Sequence, residues 1–420
     1  MRPVASLQGR LRGSPMSNPV TGHSAAYIAE LKKRLNAHRK WVNGGRGGIH
    51  ADLSFYDMSQ LPLSGVMLRN AKLVGTSFAR SNLSKADLKA AILMMADLEG
   101  ADLSEADLLG ADLRGACFNG ANLAEANLAG ADLRTGSLGA ISTKRQPSSA
   151  MPLNRRTELI DANLSRAILV GSNLGNCDLT GAELVDADLS GADLTGAILV
   201  STDLSGATLK NTTLSGAVLC GALLDDDAIA EMARHGINPD GNLLPLGERL
   251  FELLSLHQDW LDSEGRAGQR LELDLADLSN APLSQVDLSA AKIQRCNLRN
   301  ANLSGTNLMM ADLSYCNLTG ADFRGANLSG CGMRRVNLTG ATLLDSILLS
   351  VQVAASDRAW PTNLQYARLN DTDLRCRTAD GVILRFADMT GAKVNMALMK
   401  GSDTSGAKMP TTRSPVALSR

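Results

Sequence analysis

Two histidines are the residues best placed to do chemistry. His38 and His257 each stand three positions before a tryptophan, Trp41 and Trp260, on an apolar stripe at helical spacing. A buried imidazole there could serve as a base or a metal ligand, or could tie a helix to whatever lies beneath it. The second reading is preferred. The five histidines (23, 38, 50, 235 and 257) form no H-x-x-x-H or H-E-x-x-H pair, so no zinc or metallohydrolase site is expected. Seven cysteines, odd in number and far apart, make neither a disulfide framework nor a C-x-x-C. Aspartates abound, but at fixed intervals, so neighbouring carboxylates report a repeat and not an acid–base pair. There is no Gly-rich phosphate loop, and no G-x-S-x-G serine with a histidine and acid to serve it. No enzyme is expected, and no cofactor is implied.

What positions these residues is a period of five. Leu or Phe recurs from Leu53 through Leu63, Leu68, Leu73 and Phe78 to Leu138, with Met58 in phase. Ala usually stands two residues earlier, Asp or Asn one earlier, and Ser, Thr or Arg follows; ADLSEADLLGADLRG at 101–115 holds three copies. The phase moves by one at Leu159 and runs on to Leu224. A second block runs from Leu273 to Leu348 and restarts, again shifted, at Leu364. Five matches neither the helical period of 3.6 nor the strand period of 2. It requires a chain that turns a corner every five residues, and four such faces close a square coil of 20. Successive coils then stack as neighbouring strands about 4.8 Å apart. Leu and Ala point into a narrow bore, the polar residues point outward, and Gly relieves corners. Cys177, Cys296, Cys316 and Cys331 take the small inward slot and read as core thiols, not bridges.

Each block is preceded by a helix. YIAELKKRLNAHRKWV places Ile28, Leu31, Leu35, His38 and Trp41 on one stripe; GERLFELLSLHQDWL does the same with Leu250, Leu254, His257, Trp260 and Leu261. The chain therefore reads as a tandem duplication of helix plus solenoid, all-β apart from its helices. The expected organisation is a disordered basic tail (1–23), a capping helix and linker (24–50), and a first β-helix (51–224) with an insert at 139–158. A helical linker with the second capping helix (225–270), a second β-helix (271–409) with an insert at 349–363, and a tail (410–420) complete it. Open ends of a solenoid need covering, which is the role expected of the helices through His38, Trp41, His257 and Trp260.

Composition narrows the function. Aromatics are 3% of the chain and apolar residues 44%, so the core is built from Leu and Ala. Charge is nearly balanced, −1 overall, which argues against wholesale nucleic-acid or membrane-surface binding. Residues 51–224 carry thirteen bases against nineteen acids, 225–270 four against ten, and 271–420 sixteen against thirteen. No apolar run approaches the roughly 18 residues of a membrane span, and the start has no apolar signal core. A cytoplasmic chain is expected.

The A(D/N)LXX pattern over roughly 51–224 and 271–409 resembles the pentapeptide-repeat family, and the L…HxxWL helix with its Gly linker is similar to arrangements in bacterial members. The resemblance implies a right-handed quadrilateral β-helix. It also implies a non-catalytic scaffold for a protein partner of unknown identity, with self-association a further option. Two other implied readings are a DNA mimic that binds a bacterial type II topoisomerase, which needs a continuous acidic face, and an accessory or effector component of a secretion system.

Apolar residues in outward slots point to where contact would occur. Ile198, Val200, Val218 and Cys220 flank Leu199 and Leu219, 20 residues apart, and should form one patch on adjacent coils. The doubled methionines of LMMADL, Met94 and Met95 and again Met309 and Met310, also fall in outward slots and suit an adaptable contact surface.

Overall fold

The computed structural model describes residues 23–137, 154–234, 236–238, 241–352, 359–395 and 400–410. The N-terminal tail through residue 22, most of the first insert, residues 353–358 of the second and the last ten residues lie outside the described residues. Contacts divide the chain into two compact units, 1–239 and 240–420.

In the first unit the five-residue period becomes a ladder of parallel bridges between residues 20 apart: Asp52 with Lys72, Asp57 with Ser77, Pro62 with Asn82, Met67 with Asp87. Each 20-residue coil thus offers four bridge positions. Coils bond both ways, Leu53 N–H to the Lys72 carbonyl (2.8 Å) and Lys72 N–H to that of Ala51 (3.0 Å). Backbone polar groups inside the stack are satisfied by the coil above and below. Among the described residues the central position and the one two before it are buried from Leu53 to Leu133 and again from Leu159 to Leu219. Burying a Leu side chain is worth about 1.5–3 kcal/mol, so a column of them offsets the shortage of large aromatic residues. Several Thr and Ser in the small slot donate to a central carbonyl 23 residues earlier, Thr76 to Leu53 and Thr202 to Leu179, both 2.8 Å.

After the first insert the partners are 41 apart, Cys117 with Glu158 and Asp132 with Asn173. The insert therefore adds 21 residues, which is why the phase moves by one. Its stem is an antiparallel pair, β1 (Gly136–Ser137) and β2 (Asn154–Arg155). Corners use a left-handed residue throughout, many of them not glycine: Phe55, Arg80, Lys85, Met95 and Glu105 all have φ between 56° and 59°.

Helix α1 (Ala25–Val42) starts at Ser24, whose Oγ accepts the Tyr27 amide, and places Leu31 and Leu35 in the first unit's apolar core. Its chain then doubles back: Ile49 N–H donates to the Ala37 carbonyl at 3.0 Å, and a side chain on Gly48 would collide with the Trp41 backbone. At the other end α2 (Asp226–Arg234) adds Ala228 and Met232 to the same core. Asp225 holds it there, accepting from Ala228 N–H at 2.8 Å and from Gly206 N–H of the last coils at 2.9 Å. Those two amides and that of Asp227 pull its carboxyl below the usual range.

The second unit repeats the plan. Helix α3 (Arg249–Asp262) buries Leu250 and His257. The ladder runs from Asp277 with Asn297 to Asp388 with Lys408, and its insert stem pairs β3 (Val351–Gln352) with β4 (Ala359–Trp360).

Candidate functional site

The histidines sit at the joint between helix and first coil. His38 Nδ1 accepts the Ala51 amide at 3.0 Å and its Nε2 lies 3.1 Å from the Arg69 carbonyl. An Nδ1 that accepts leaves the proton on Nε2, so the ring is neutral and both nitrogens are used. His257 Nδ1 accepts the Leu271 amide at 3.1 Å, while its buried Nε2 has no partner within hydrogen-bond geometry among the described residues. Each ring stacks on its tryptophan, Trp41 at 5.5 Å and Trp260 at 5.7 Å between centroids. Trp41 is itself 39% exposed, so it shields the imidazole more than it fills a core. Burial lowers both histidines from their ordinary value, with His50 adding to the effect at His38 and Asp287 opposing it at His257.

Carboxylates that could act as acids or bases are occupied locally. Asp97, Asp102 and Asp107 each accept the amide two residues on, at 3.1 to 3.3 Å, the turn-forming habit of Asx residues. Asn122 donates to Asp102 at 3.1 Å and Asn163 to Asn122 at 3.2 Å, so Asx side chains also form columns between coils. Arg69, Lys89, Arg114 and Arg134 pair with Asp87, Asp107, Asp112 and Asp132 at 2.7 to 2.8 Å. All seven cysteines are buried and unbridged, and burial drives the Cys177 and Cys331 thiols far up, away from the reactive thiolate. Among the described residues no three His, Cys, Asp or Glu side chains are grouped to hold a metal, and no helix is long and apolar enough to cross a membrane.

The structure overturns the proposed apolar patch. Ile198 is 5% exposed and Val200 0%, and Val218 and Cys220 are buried as well, although none belongs to the bore. Their slots do point outward, as the bridge from Ile198 to Val218 requires.

Met94 and Met95 are corrected in the same way. Both are buried. A Cβ on corner residue Gly115 would lie 2.5 Å from Met95 Sδ and 3.0 Å from the Arg155 carbonyl of the insert stem. Arg155 donates to the Gly115 and Ala96 carbonyls (2.5 and 3.0 Å), which seats the stem on that corner. The second unit copies this: a Cβ on Gly330 would meet Met310 Sδ at 2.8 Å and Val351 at 3.0 Å. Met95 and Met310 thus lie beside the insert stems; Met310 is half-buried and Met309, 38% exposed, faces solvent.

The apolar groups that are exposed are others. Ile168 and Val170 are 45% and 40% exposed around Leu169, with Leu109 exposed on the same face two coils away. The signal was in the sequence, since they occupy the same slots as Ile198 and Val200. In the second unit Tyr315, Arg335, Tyr366 and Phe386 line one corner over successive coils, a column that counting periods passes over.

A family model described as pentapeptide repeats matches the chain in eight copies, over residues 63–100, 81–120, 116–135, 157–196, 187–226, 272–309 and 306–344, just over half its length. No curated protein matches. Among solved structures the chain is similar to HetL, a pentapeptide repeat protein involved in heterocyst differentiation regulation from the cyanobacterium Nostoc sp. strain PCC 7120. Identity is 20% and the TM-score 0.20, over 92% of this chain and 94% of that one. It is similar also to QnrB1, a plasmid-mediated fluoroquinolone resistance protein, at 19% identity and a TM-score of 0.20, over 43% of this chain and all of the other. A third is a pentapeptide repeat protein of the Arabidopsis thaliana thylakoid lumen, at 22% identity and a TM-score of 0.13, over 44% and 75%. Likenesses this slight carry no argument about function.

Proposed function

The chain belongs to the pentapeptide-repeat family, whose members fold as right-handed β-helices, and we propose that it is a non-catalytic scaffold that binds a protein partner. Its two units would be four-sided rods, bounded as 51–224 and 271–409, with α1 and α3 as caps held by His38 and His257 and shielded by Trp41 and Trp260. The observation that carries the reading is how the polar side chains are employed. Their carboxylates accept amides two residues away or pair with arginines, so the chemistry the repeat contains holds its own corners. What remains available is shape and an exposed apolar strip at Leu109, Ile168 and Val170. Met309 extends the same idea to the second unit. A cytoplasmic location accords with this reading.

The test is affinity capture by the full chain from its native extract, beside the Ile168→Ser/Val170→Ser variant. Loss of one protein from the variant, with an unchanged melting curve, supports the scaffold and this strip. Capture of the same protein by both removes the strip. The mimicry reading predicts instead that reversing Asp102, Asp107 and Asp112 abolishes binding, with a steep salt dependence. The pairing of Asp107 and Asp112 with Lys89 and Arg114 weighs against it, because it neutralises the face that mimicry needs. The secretion-component reading is favoured by no observation of this kind.

A further inference from the structure

We propose that the outer face of α3 docks on the outer face of α1 in a second copy of this chain, parallel and in register. The inference goes beyond the scaffold reading, since it concerns the caps and not the repeats. At an offset of 219 the two helices match along the stripe that packs on the coils, Leu31 with Leu250 and Leu35 with Leu254. On the opposite side the same offset reverses the charges. Glu30 stands where the second helix has Arg249, Lys33 where it has Glu252, and Lys40 where it has Asp259. At about 100° per residue these positions and the one between them, Ala37 or Leu256, share one face turned away from the buried stripe. Two copies of one module would start with like faces. Opposite signs at all three charged positions they share are what a contact between the faces requires.

These charges are available. Lys33, Lys40, Arg249, Glu252 and Asp259 are exposed and make no ion pair or side-chain hydrogen bond among the described residues. Glu30 already accepts from Arg34 at 2.9 Å, so Lys33 and Lys40 carry the contact on the α1 side. Beside Ala37, helix and returning chain enclose a groove of about 210 Å³, lined by Glu30, Lys33, Ala37, Ile49 and Asp52 among others. Leu256 holds the matching place on α3, half-buried and outside its unit's apolar core, so a leucine projects where α1 offers a hollow. Direction follows from the signs. In parallel, Glu30 meets Arg249, Lys33 meets Glu252, Ala37 meets Leu256 and Lys40 meets Asp259. Antiparallel, Glu30 would face Asp259 and Lys40 would face Arg249, which repel. Pairing of like helices would leave both Lys33 or both Glu252 without an opposite charge. It would also join helices of like sign, five bases against one acid in α1 and one base against three acids in α3. Exposed ion pairs contribute little each, so they select the arrangement while Leu256 supplies buried area. The contact is heterologous, and each copy offers one face of each kind, so the assembly grows or closes into a ring.

Sedimentation velocity of the full chain, at low and high protein concentration and at low and high salt, is the test. The wild type is expected to associate as its concentration rises, and less so at high salt. Lys33→Glu/Lys40→Glu and Glu252→Lys/Asp259→Lys should each weaken association by at least about tenfold. Their melting curves should stay unchanged, because all four groups lie on the surface. The four changes together in one chain should restore association. Register is read from single pairs: Lys40→Glu should be rescued by Asp259→Lys and not by Glu252→Lys. Leu256→Ser should weaken association as well. The Ile168→Ser/Val170→Ser variant should associate as wild type does, which separates this contact from the strip on the first unit. A chain that stays monomeric at every concentration overturns the proposal. So does association that survives either double reversal, that fails to return in the fourfold variant, or that Glu252→Lys rescues as well as Asp259→Lys does. In each of these cases partner capture through the Ile168 strip remains a separate result.

Discussion

Residues 167–170 and 197–200 are both Ala-Ile-Leu-Val, in the same phase of the same unit, and their outward side chains come to opposite ends. Ile168 and Val170 are 45% and 40% exposed; Ile198 and Val200 are 5% and 0%. The inward residues, Leu169 and Leu199, are both fully buried. Within a solenoid, local pattern thus decides only which way a side chain points. Whether an outward group meets water is not decided by that local pattern, since two identical segments differ.

The sharpest way to break this comparison is to place the same charge inside and outside. Leu189→Asp should cost about 3–5 kcal/mol, because the bore offers a carboxylate neither water nor a partner. Thermal unfolding monitored by circular dichroism checks it; a loss below about 1 kcal/mol would mean that Leu189 is not in the bore. Next in size is Val200→Asp, expected to cost about 2–4 kcal/mol, against Val170→Asp, expected to stay within about 0.5 kcal/mol. Equal effects at 170 and 200 would show that Val200 is not buried in solution. Ile198→Ser and Val218→Ser, harmless if those groups were surface, should each cost about 1 kcal/mol.

How far the sequence could be read follows from the same contrast. Leu53 to Leu348, the small slots, the corners and the two helices come from local spacing, because each is fixed by neighbours within a coil. The insert seats do not. Met95 and Met310 look like contact methionines until Gly115 and Gly330, one coil further on, are seen to leave room for a strand stem. Cys220 reads as outward and is buried. The column Tyr315, Arg335, Tyr366 and Phe386 escapes because its members are 20 or 31 residues apart and differ in type, so that only stacking brings them together.

A smaller effect separates the two helix joints by pH. His38 and His257 each accept an amide at Nδ1, and burial holds both below the ordinary value. With the folded-state pKa depressed, the unfolded chain binds more protons in the interval between the two values. Stability is therefore fully present above the unfolded value of about 6.5 and is lost as pH falls below it. A loss of about 1 kcal/mol per histidine is expected, less at His257, where Asp287 pulls the value back up. Melting temperature recorded from about pH 7.5 to about pH 5 should fall, and fall less in a His38→Gln variant. A flat profile in the wild type would show that neither joint depends on a neutral imidazole.

The smallest effect expected is at Ile168 itself. It bridges Asp188 in the next coil, so the two share one outward column, one apolar and one charged. Neither side chain enters the bore, and unfolding changes the surroundings of each only in part. Ile168→Ser and Asp188→Lys should therefore each alter stability by no more than about 0.5 kcal/mol in either direction. They should differ in a second respect. Ile168→Ser removes apolar area from a strip shared with Val170 and Leu109, whereas Asp188→Lys changes charge in a column where carboxylates already satisfy nearby amides, Asp188 that of Ser190 at 3.0 Å. Chemical denaturation measures the first quantity, and binding of the captured partner measures the second. If Ile168→Ser costs as much as Ile198→Ser, the exposed and covered copies of Ala-Ile-Leu-Val are alike in solution, and the distinction drawn between them fails.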